Sequence, residues 1–84
     1  MRIETLEEPV NVIGLFRDGC LKPLRFQWRG RTLPVRHLAS HWMSRSGADQ
    51  EHFYSVSDNG IDYYELSFHS RTFQWRVEKV FLEG

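Results

Sequence analysis

Residues 24–31 read LRFQWRGR, and apolar and polar side chains alternate along this stretch until it reaches a glycine. Alternation of this kind predicts a strand that carries Leu24, Phe26 and Trp28 on one face. A glycine at the first central position of a two-residue loop favours a type II′ turn, so Gly30-Arg31 is expected to connect this strand to the next. The predicted turn places Trp28 opposite Leu33, Phe26 opposite Val35, and Arg25 opposite Arg36.

Two further turns are predicted in the second half of the chain. Asn59-Gly60 is a strong hairpin signal, because both residue types tolerate positive φ. A tight turn at Ser70-Arg71 would follow it. The first of these turns pairs Phe53 with Leu66 and Ser55 with Tyr64 on the inner face, and Tyr54 with Glu65 and Val56 with Tyr63 on the outer face. The second pairs Phe68 with Phe73, Leu66 with Trp75, and Glu65 with Arg76. All three predicted turns agree on one apolar face, which supports the β interpretation.

Other segments are less regular. Residues 10–16 are apolar on both faces and are expected to form a first strand that is buried on both sides. Residues 35–42 fit a helical face, but they also fit a long strand with a bulge near Leu38. The strand is favoured because the segment continues a hairpin, and a short helical turn near residues 37–42 stays open. Residues 44–49 are expected to be a polar loop, and residues 1–8 a loose N-terminal segment.

Together these features predict a mainly β protein. We expect a small antiparallel meander of about six strands, within a single domain of residues 1–84, that curls into a barrel or a strongly bent sheet. With only 84 residues, of which 14% are aromatic, large rings must supply much of the core. Closure or bending would also protect strand edges.

Composition narrows the classes of protein. A hydrophobic content of 40% with zero net charge indicates a folded chain rather than a disordered one. The single cysteine, Cys20, excludes an intramolecular disulfide. The N-terminus is acidic and lacks the apolar stretch of a signal peptide, and no run approaches the ~20 residues that cross a bilayer. We therefore expect a cytoplasmic protein without a membrane partner.

Several motifs resemble those of a known family. Residues 23–31 read PLRFQWRGR, residues 63–66 YYEL and residues 75–77 WRV, with Val35 and Trp42 between them. They resemble a family of short prokaryotic domains of unknown function that carry an RF-x-WRGR segment and occur alone or fused to proteins related to translesion DNA polymerases. Leu33-Pro34 departs from the tyrosine or basic residue of that family. The resemblance implies a link to DNA metabolism and no catalytic residues.

Arginines form the first candidate site. Residues 17–47 carry seven Lys and Arg side chains against one acid, whereas residues 48–84 carry seven acids against three bases. Arg25 and Arg36, predicted to face each other, would repel unless an anion such as phosphate neutralised them. The predicted anion or nucleic-acid surface consists of Arg25, Arg29, Arg31 and Arg36, with Trp42 as a stacking platform. Alternatively, the arginines pair internally with acids such as Glu51, Asp62 and Glu78.

The second candidate site is an apolar cluster on the predicted outer face. Tyr54, Val56 and Tyr63 would form an exposed patch there, and such patches often mark interfaces. In so short a chain, pairing with a second copy would also enlarge the core. The alternative is a tyrosine face partly covered by the N-terminal segment.

Catalytic and metal signals are weak. His37 and His41, four residues apart, would share a face only if their segment were helical. Cys20 has no partner base implied by spacing, and the sequence carries no nucleophile elbow or glycine-rich phosphate loop. We expect no enzymatic activity, no cofactor and no metal. The sequence therefore predicts a non-enzymatic binding module for nucleic acid or an acidic partner, with homodimerisation as the alternative.

Overall fold

The computed structural model describes residues 1–83, and these residues form eight β-strands and no helix. None of their elements is therefore a helix long and apolar enough to cross a membrane. The strands are β1 (Arg2–Pro9), β2 (Asn11–Arg17), β3 (Cys20–Trp28), β4 (Arg31–Pro34), β5 (His37–Ser46), β6 (Asp49–Ser57), β7 (Tyr63–His69) and β8 (Gln74–Leu82).

The strands build two antiparallel sheets. One has five strands in the order β1-β8-β7-β6-β5, and the other has three in the order β2-β3-β4. The mainly β, antiparallel architecture predicted from the sequence is confirmed, with eight strands rather than six. The sheets do not close into a barrel.

The core lies between the two sheets. Phe26 of β3 meets Tyr64 of β7 edge to face, with ring centroids 5.3 Å apart. Burying one such side chain stabilises the fold by roughly 1.5–3 kcal/mol. The buried apolar side chains are Val10, Phe26, Leu33, Tyr54, Val56, Tyr64, Leu66, Phe68, Val77 and Val80. The three-stranded sheet contributes few of them, so most of its outer surface remains open to solvent.

The β3–β4 turn differs from the predicted one. It lies at Arg29-Gly30, with φ of 51° and 74°, and positive φ at both central residues is the type I′ pattern. Pairing is shifted by two residues, so that Phe26 faces Leu33 and Arg25 faces Pro34. An even shift keeps Phe26 on the inner face. The predicted opposition of Arg25 and Arg36 was therefore wrong.

The β6–β7 connection shows the larger difference. Tyr54 faces Leu66 and Val56 faces Tyr64, a shift of one residue from the predicted register. A one-residue shift turns one strand over relative to its partner, and here the side chains of β6 change face while Leu66 and Tyr64 of β7 stay on the inner one. Tyr54 and Val56, predicted on the outer face, are 1% and 0% exposed and lie in the core. Tyr63 is half-buried opposite Phe81.

The physical reason is the loop of residues 58–62. The Asn59 side-chain oxygen accepts hydrogen bonds from the main-chain N–H groups of Ile61 and Asp62. Ser57 Oγ accepts from Gly60 N and donates to Asp62 O, 2.7 Å away. These side chains replace strand pairing, so the loop has five residues rather than the two expected from Asn59-Gly60.

The β7–β8 pairing also shifts. Phe68 faces Trp75 and Leu66 faces Val77, an even shift that keeps both residues on the predicted inner face. A bulge then places Glu65 opposite Lys79 instead of Arg76. The turn is longer than Ser70-Arg71 because Phe73 N donates to His69 O at 2.8 Å, which closes a four-residue connection.

The N-terminal segments also differ from expectation, and the open choice between helix and strand is settled. Residues 1–8 were expected to be loose, but residues 2–9 form β1 and pair with β8. Residues 11–17 form β2, which is mostly exposed rather than buried on both sides, because it is an edge strand of the small sheet. Residues 37–46 form strand β5 with a register shift between Leu38 and Ser40, so the helical turn is wrong and the bulged strand is correct. The polar loop shrinks to Gly47-Ala48.

Candidate functional site

Two adjoining depressions form a groove beside the three-stranded sheet. The larger, about 710 Å³, lies where the β1–β2 connection, the β3–β4 turn and the start of β8 meet. Its lining residues are Pro9, Val10, Asn11, Val12, Gln27, Trp28, Arg29, Gly30, Phe73, Gln74 and Trp75. The smaller, about 330 Å³, is lined by Asn11, Val12, Ile13, Arg25, Phe26, Gln27 and Thr32. Asn11, Val12 and Gln27 line both, and we call the pair the two-part groove.

Phe73 is the most exposed aromatic side chain of the groove. It is 72% exposed although its backbone has a φ of 58°, in the left-handed region that bulky residues rarely adopt. Its ring lies 5.5 Å from that of Phe68, which supports it from the core side. Strained backbone that holds an exposed aromatic ring at the rim of a cleft is a feature of binding sites.

Trp75 supplies a second ring. Its centroid lies 5.0 Å from Phe68 and 5.6 Å from Tyr54, so one side of the indole packs on the core while the residue lines the groove. The main chain is also fixed here, because Val10 N donates to Trp75 O at 3.1 Å. This end of the groove is therefore built on the packed core.

Arg29, Trp28 and Glu8 form a compact cluster at the groove wall. The Arg29 guanidinium lies 4.5 Å over the Trp28 ring, and its Nε donates to Glu8 Oε1 at 3.2 Å. Trp28 Nε1 donates to the same oxygen at 2.9 Å. The hydrogen bonds from Arg29 and Trp28 lower the pKa of Glu8, and the bond to Glu8 raises the pKa of Arg29. Arg29 is therefore already paired and acts mainly by holding the indole.

The other predicted arginines are placed differently. Arg25 is exposed in the smaller depression, beside Ile13 on β2 and Pro34 on β4. Arg31 is exposed at the start of β4, opposite Trp28. Among the ion pairs formed within residues 1–83, none includes Arg25 or Arg31. These two guanidinium groups can therefore meet an anionic ligand.

Arg36 and Trp42 lie outside the groove. Arg36 Nε donates to Asp58 Oδ1 at 2.8 Å. Trp42 lies on β5 and stacks parallel to Phe53, with ring centroids 5.4 Å apart. Internal pairing, the alternative considered for the arginines, holds for Arg29 and Arg36. Their partners are Glu8 and Asp58 rather than the acids expected from the sequence.

Sequence reasoning missed most of the groove. The missed residues are Asn11, Gln27, Phe73, Gln74 and Trp75, which come from separate parts of the chain. The lining includes two arginines, three side-chain amides and, among the described residues, no Asp or Glu. This local composition is invisible in a chain whose net charge is zero.

No protein-family model matches the chain, and the searches of curated proteins and of solved structures likewise found no match. The resemblance to the RF-x-WRGR domains therefore stays a prediction.

Proposed function

We propose that this protein is a non-enzymatic binding module that takes a short single-stranded nucleic-acid segment into the two-part groove. The observation that carries the proposal is the lining itself. It combines the exposed ring of Phe73 and the half-buried indoles of Trp28 and Trp75 with three side-chain amides and two arginines. Of these arginines, Arg29 is paired with Glu8, and Arg25 forms no ion pair among residues 1–83.

The aromatic end provides a platform for bases. Phe73 offers an exposed ring at the rim, and Trp75 lies next to it in the same lining. Stacking of a base on an aromatic side chain contributes about 1–3 kcal/mol per base in single-strand binding proteins. An unpaired base can reach such a ring, whereas a base inside a duplex cannot without being flipped out.

The middle of the groove is suited to the edges of bases. Asn11, Gln27 and Gln74 each carry a donor and an acceptor, and all three are exposed. The groove volume, about 710 Å³ in the larger part, falls in the range of ligand sites and accommodates a few nucleotides at most.

The groups available for phosphate are Arg25, which lines the smaller depression, and Arg31, which lies at the start of β4 and is not among the lining residues. A guanidinium donates two parallel hydrogen bonds to a phosphate, and neither side chain has an internal ion-pair partner among residues 1–83. Two contacts with single-stranded nucleic acid predict a slope of roughly −1.4 in log K against log salt. Binding is thus expected to be weak and modestly salt-dependent. An acidic protein, the other partner considered, would make little use of the exposed rings.

The test is fluorescence anisotropy with labelled single-stranded DNA, duplex DNA and hairpin RNA at low and near-physiological salt. Arg25→Gln is expected to weaken single-strand binding several-fold and to reduce the salt slope by about 0.7. Arg45→Gln removes an exposed arginine that lies outside the groove and, like Arg25, forms no ion pair among residues 1–83; it is the matched control and should bind like the parent. An absence of single-strand binding at low salt, or equal effects of the two substitutions, would overturn the proposal.

A second candidate function is self-association. The predicted interface of Tyr54, Val56 and Tyr63 was wrong, because Tyr54 and Val56 lie in the core. However, β5 is an edge strand and all ten of its residues are exposed. Such an edge presents unpaired main-chain groups to another strand. We propose that a second copy adds its own β5 antiparallel to this edge.

Sedimentation velocity over a wide concentration range tests this second candidate. A two-fold axis near the middle of β5 would bring the two copies of Trp42 close together. Trp42→Lys would then place like charges across the axis and should shift the protein to monomer. A monomer mass at every concentration of the parent protein would exclude the dimer.

A further inference from the structure

Three side chains of types that can ligate a metal lie on the β5–β6 hairpin, outside the two-part groove. His41 and Met43 are two apart on β5 and therefore share a face, and Met43 is the cross-strand partner of His52 on β6. His41 Nε2 lies 3.3 Å from His52 Nδ1. His41 and Met43 are exposed, and His52 is half-buried.

Neighbouring groups orient the two imidazoles. His52 Nε2 lies 3.2 Å from Gln50 Oε1, and because an amide oxygen only accepts, Nε2 donates the hydrogen bond. Nδ1 of His52 then carries its lone pair toward His41. His41 stacks on Tyr54, with centroids 4.5 Å apart and planes at 5°. A hydrogen bond to the second ring nitrogen is the arrangement that supports histidine as a metal ligand.

The spacing of the nitrogens suits a shared ion. At metal–nitrogen distances of about 2.0 Å, a 3.3 Å separation corresponds to a ligand angle of roughly 110°. In this hydrogen-bonded pair Nε2–H of His41 donates to Nδ1 of His52. Metal binding would transfer that proton through solvent to Nδ1 of His41, and a turn of both rings toward solvent would direct the two lone pairs at a common ion.

We propose that His41, His52 and Met43 form a copper(I) site. No group of three or more His, Cys, Asp or Glu side chains within residues 1–83 is placed to hold a metal. In this proposal the third ligand is the thioether of Met43, which has a long unbranched side chain and is the cross-strand partner of His52. Thioether sulfur is a soft ligand that selects copper(I), whereas imidazole alone suits several metals.

The experiment is an anaerobic competition for copper(I) against bicinchoninate, a chromophoric chelator. All proteins carry Cys20→Ser, because Cys20 is an exposed thiol that would bind copper(I) independently. The parent should bind one equivalent. His41→Gln and His52→Gln should each weaken binding at least ten-fold, and Met43→Leu should weaken copper(I) binding at least ten-fold without changing zinc affinity. His37→Gln, a histidine on the same strand outside the pair, is the control and should have no effect.

Three outcomes would overturn the site. The first is that the Cys20→Ser protein binds no copper(I). The second is that His41→Gln, at an exposed position that should fold normally, keeps the parent affinity. The third is that Met43→Leu leaves copper(I) binding unchanged or weakens copper(I) and zinc equally, which would exclude the thioether as the selective ligand. Thermal melting of each variant establishes that it is folded.

Discussion

The phenolic hydroxyl of Tyr54 in β6 donates a 2.7 Å hydrogen bond to the main-chain oxygen of Leu21 in β3. The bond joins the two sheets directly, and the Tyr54 ring is 1% exposed beneath it. Because β3 and β6 belong to different sheets, no strand pairing duplicates this connection. The small sheet is therefore fixed to the large one by apolar packing together with polar bonds such as this one and the bond from Trp28 of β3 to Glu8 of β1.

Removing that hydroxyl tests the connection. Tyr54→Phe keeps the ring and its packing but leaves Leu21 O without this donor, so it should destabilise the protein by about 1 kcal/mol. For a domain of this size the change corresponds to a fall in Tm of roughly 4–8 °C. Tyr63→Phe, at a half-buried tyrosine on the neighbouring strand, is the control. Equal effects of the two substitutions would show that the inter-sheet bond contributes nothing specific.

Tyr54 also predicts that the stability of the protein depends on pH at the alkaline end of the range. Burial raises the pKa of Tyr54 to about 12, above its ordinary value of 10.0. The folded state thus holds the proton more tightly than the unfolded state. The contribution of the protonated Tyr54 hydroxyl to the free energy of unfolding is complete below pH 10, and it is lost as the pH rises from 10 to about 12.

Ultraviolet titration of the phenolate band checks this expectation. The parent should show a tyrosine that ionises near pH 12 or only as the protein unfolds, and Tyr54→Phe should lack that transition. Urea unfolding between pH 9 and pH 11.5 should show that the free energy of unfolding declines with pH, and that it declines less steeply in Tyr54→Phe than in the parent. A parent in which all three tyrosines titrate together near pH 10 would contradict the prediction.

The hydrogen bonds of Glu8 predict that the stability of the protein depends on pH at the acid end of the range. The hydrogen bonds from Arg29 and Trp28 lower its pKa, so the folded state favours the charged carboxylate. Its contribution to stability is present above the ordinary pKa of a glutamate and is lost as the pH falls through the lowered value. Glu8→Gln should therefore be less stable than the parent at pH 7, and the difference should shrink toward pH 3.

Urea unfolding at pH 7 and pH 3, followed by tryptophan fluorescence, measures the effect. Glu4→Gln on the same strand is the control, since Glu4 bonds to neither Trp28 nor Arg29. If the parent and Glu8→Gln differ in free energy of unfolding by the same amount at both pH values, the loss of stability comes from packing rather than from the charged hydrogen bonds.

The sequence predicted the inner positions of Phe26 and Trp28 on β3 correctly even though the turn was misplaced by a residue, whereas Leu24, predicted on the same face, is 43% exposed beside a bulge. Phe26 stays buried because the resulting shift in pairing is two residues, and side chains on a strand alternate with a period of two. The same reasoning failed at Tyr54 and Val56, where the shift is one. Nothing in the alternation of β6 and β7 reveals that Asn59 bonds the main chain and lengthens the loop.

The groove was less predictable than the fold for a related reason. Asn11 and Gln27 are cross-strand partners in the small sheet, and Phe73 of the β7–β8 connection joins them only because the two sheets dock. Arg25 was recognisable as a candidate because arginines cluster locally in the sequence. Its neighbours in the groove have no shared spacing, so periodicity could not find them. The pairing of Arg29 with Glu8 likewise depends on β1, which was expected to be a loose segment.

Phe73 links stability to the proposed function. Its φ of 58° is unfavourable for a side chain of this size, by about 1 kcal/mol, and glycine adopts such a φ without strain. The ring is 72% exposed, so little apolar burial is lost when it is removed. Phe73→Gly should therefore leave the free energy of unfolding unchanged or raise it by up to about 1 kcal/mol.

Although Phe73→Gly should not destabilise the fold, it should weaken the binding of single-stranded DNA. If Phe73 stacks on a base, Phe73→Gly should weaken single-stranded DNA binding by about 1–3 kcal/mol, measured by anisotropy on the protein used for unfolding. Thr72→Gly is the control in the same turn: Thr72 does not have a positive φ, so glycine should destabilise the fold there without affecting binding. Loss of stability in Phe73→Gly would contradict the strain argument. Parent-like binding by a stable Phe73→Gly would remove the stacking role, because the ring would then be dispensable to the ligand.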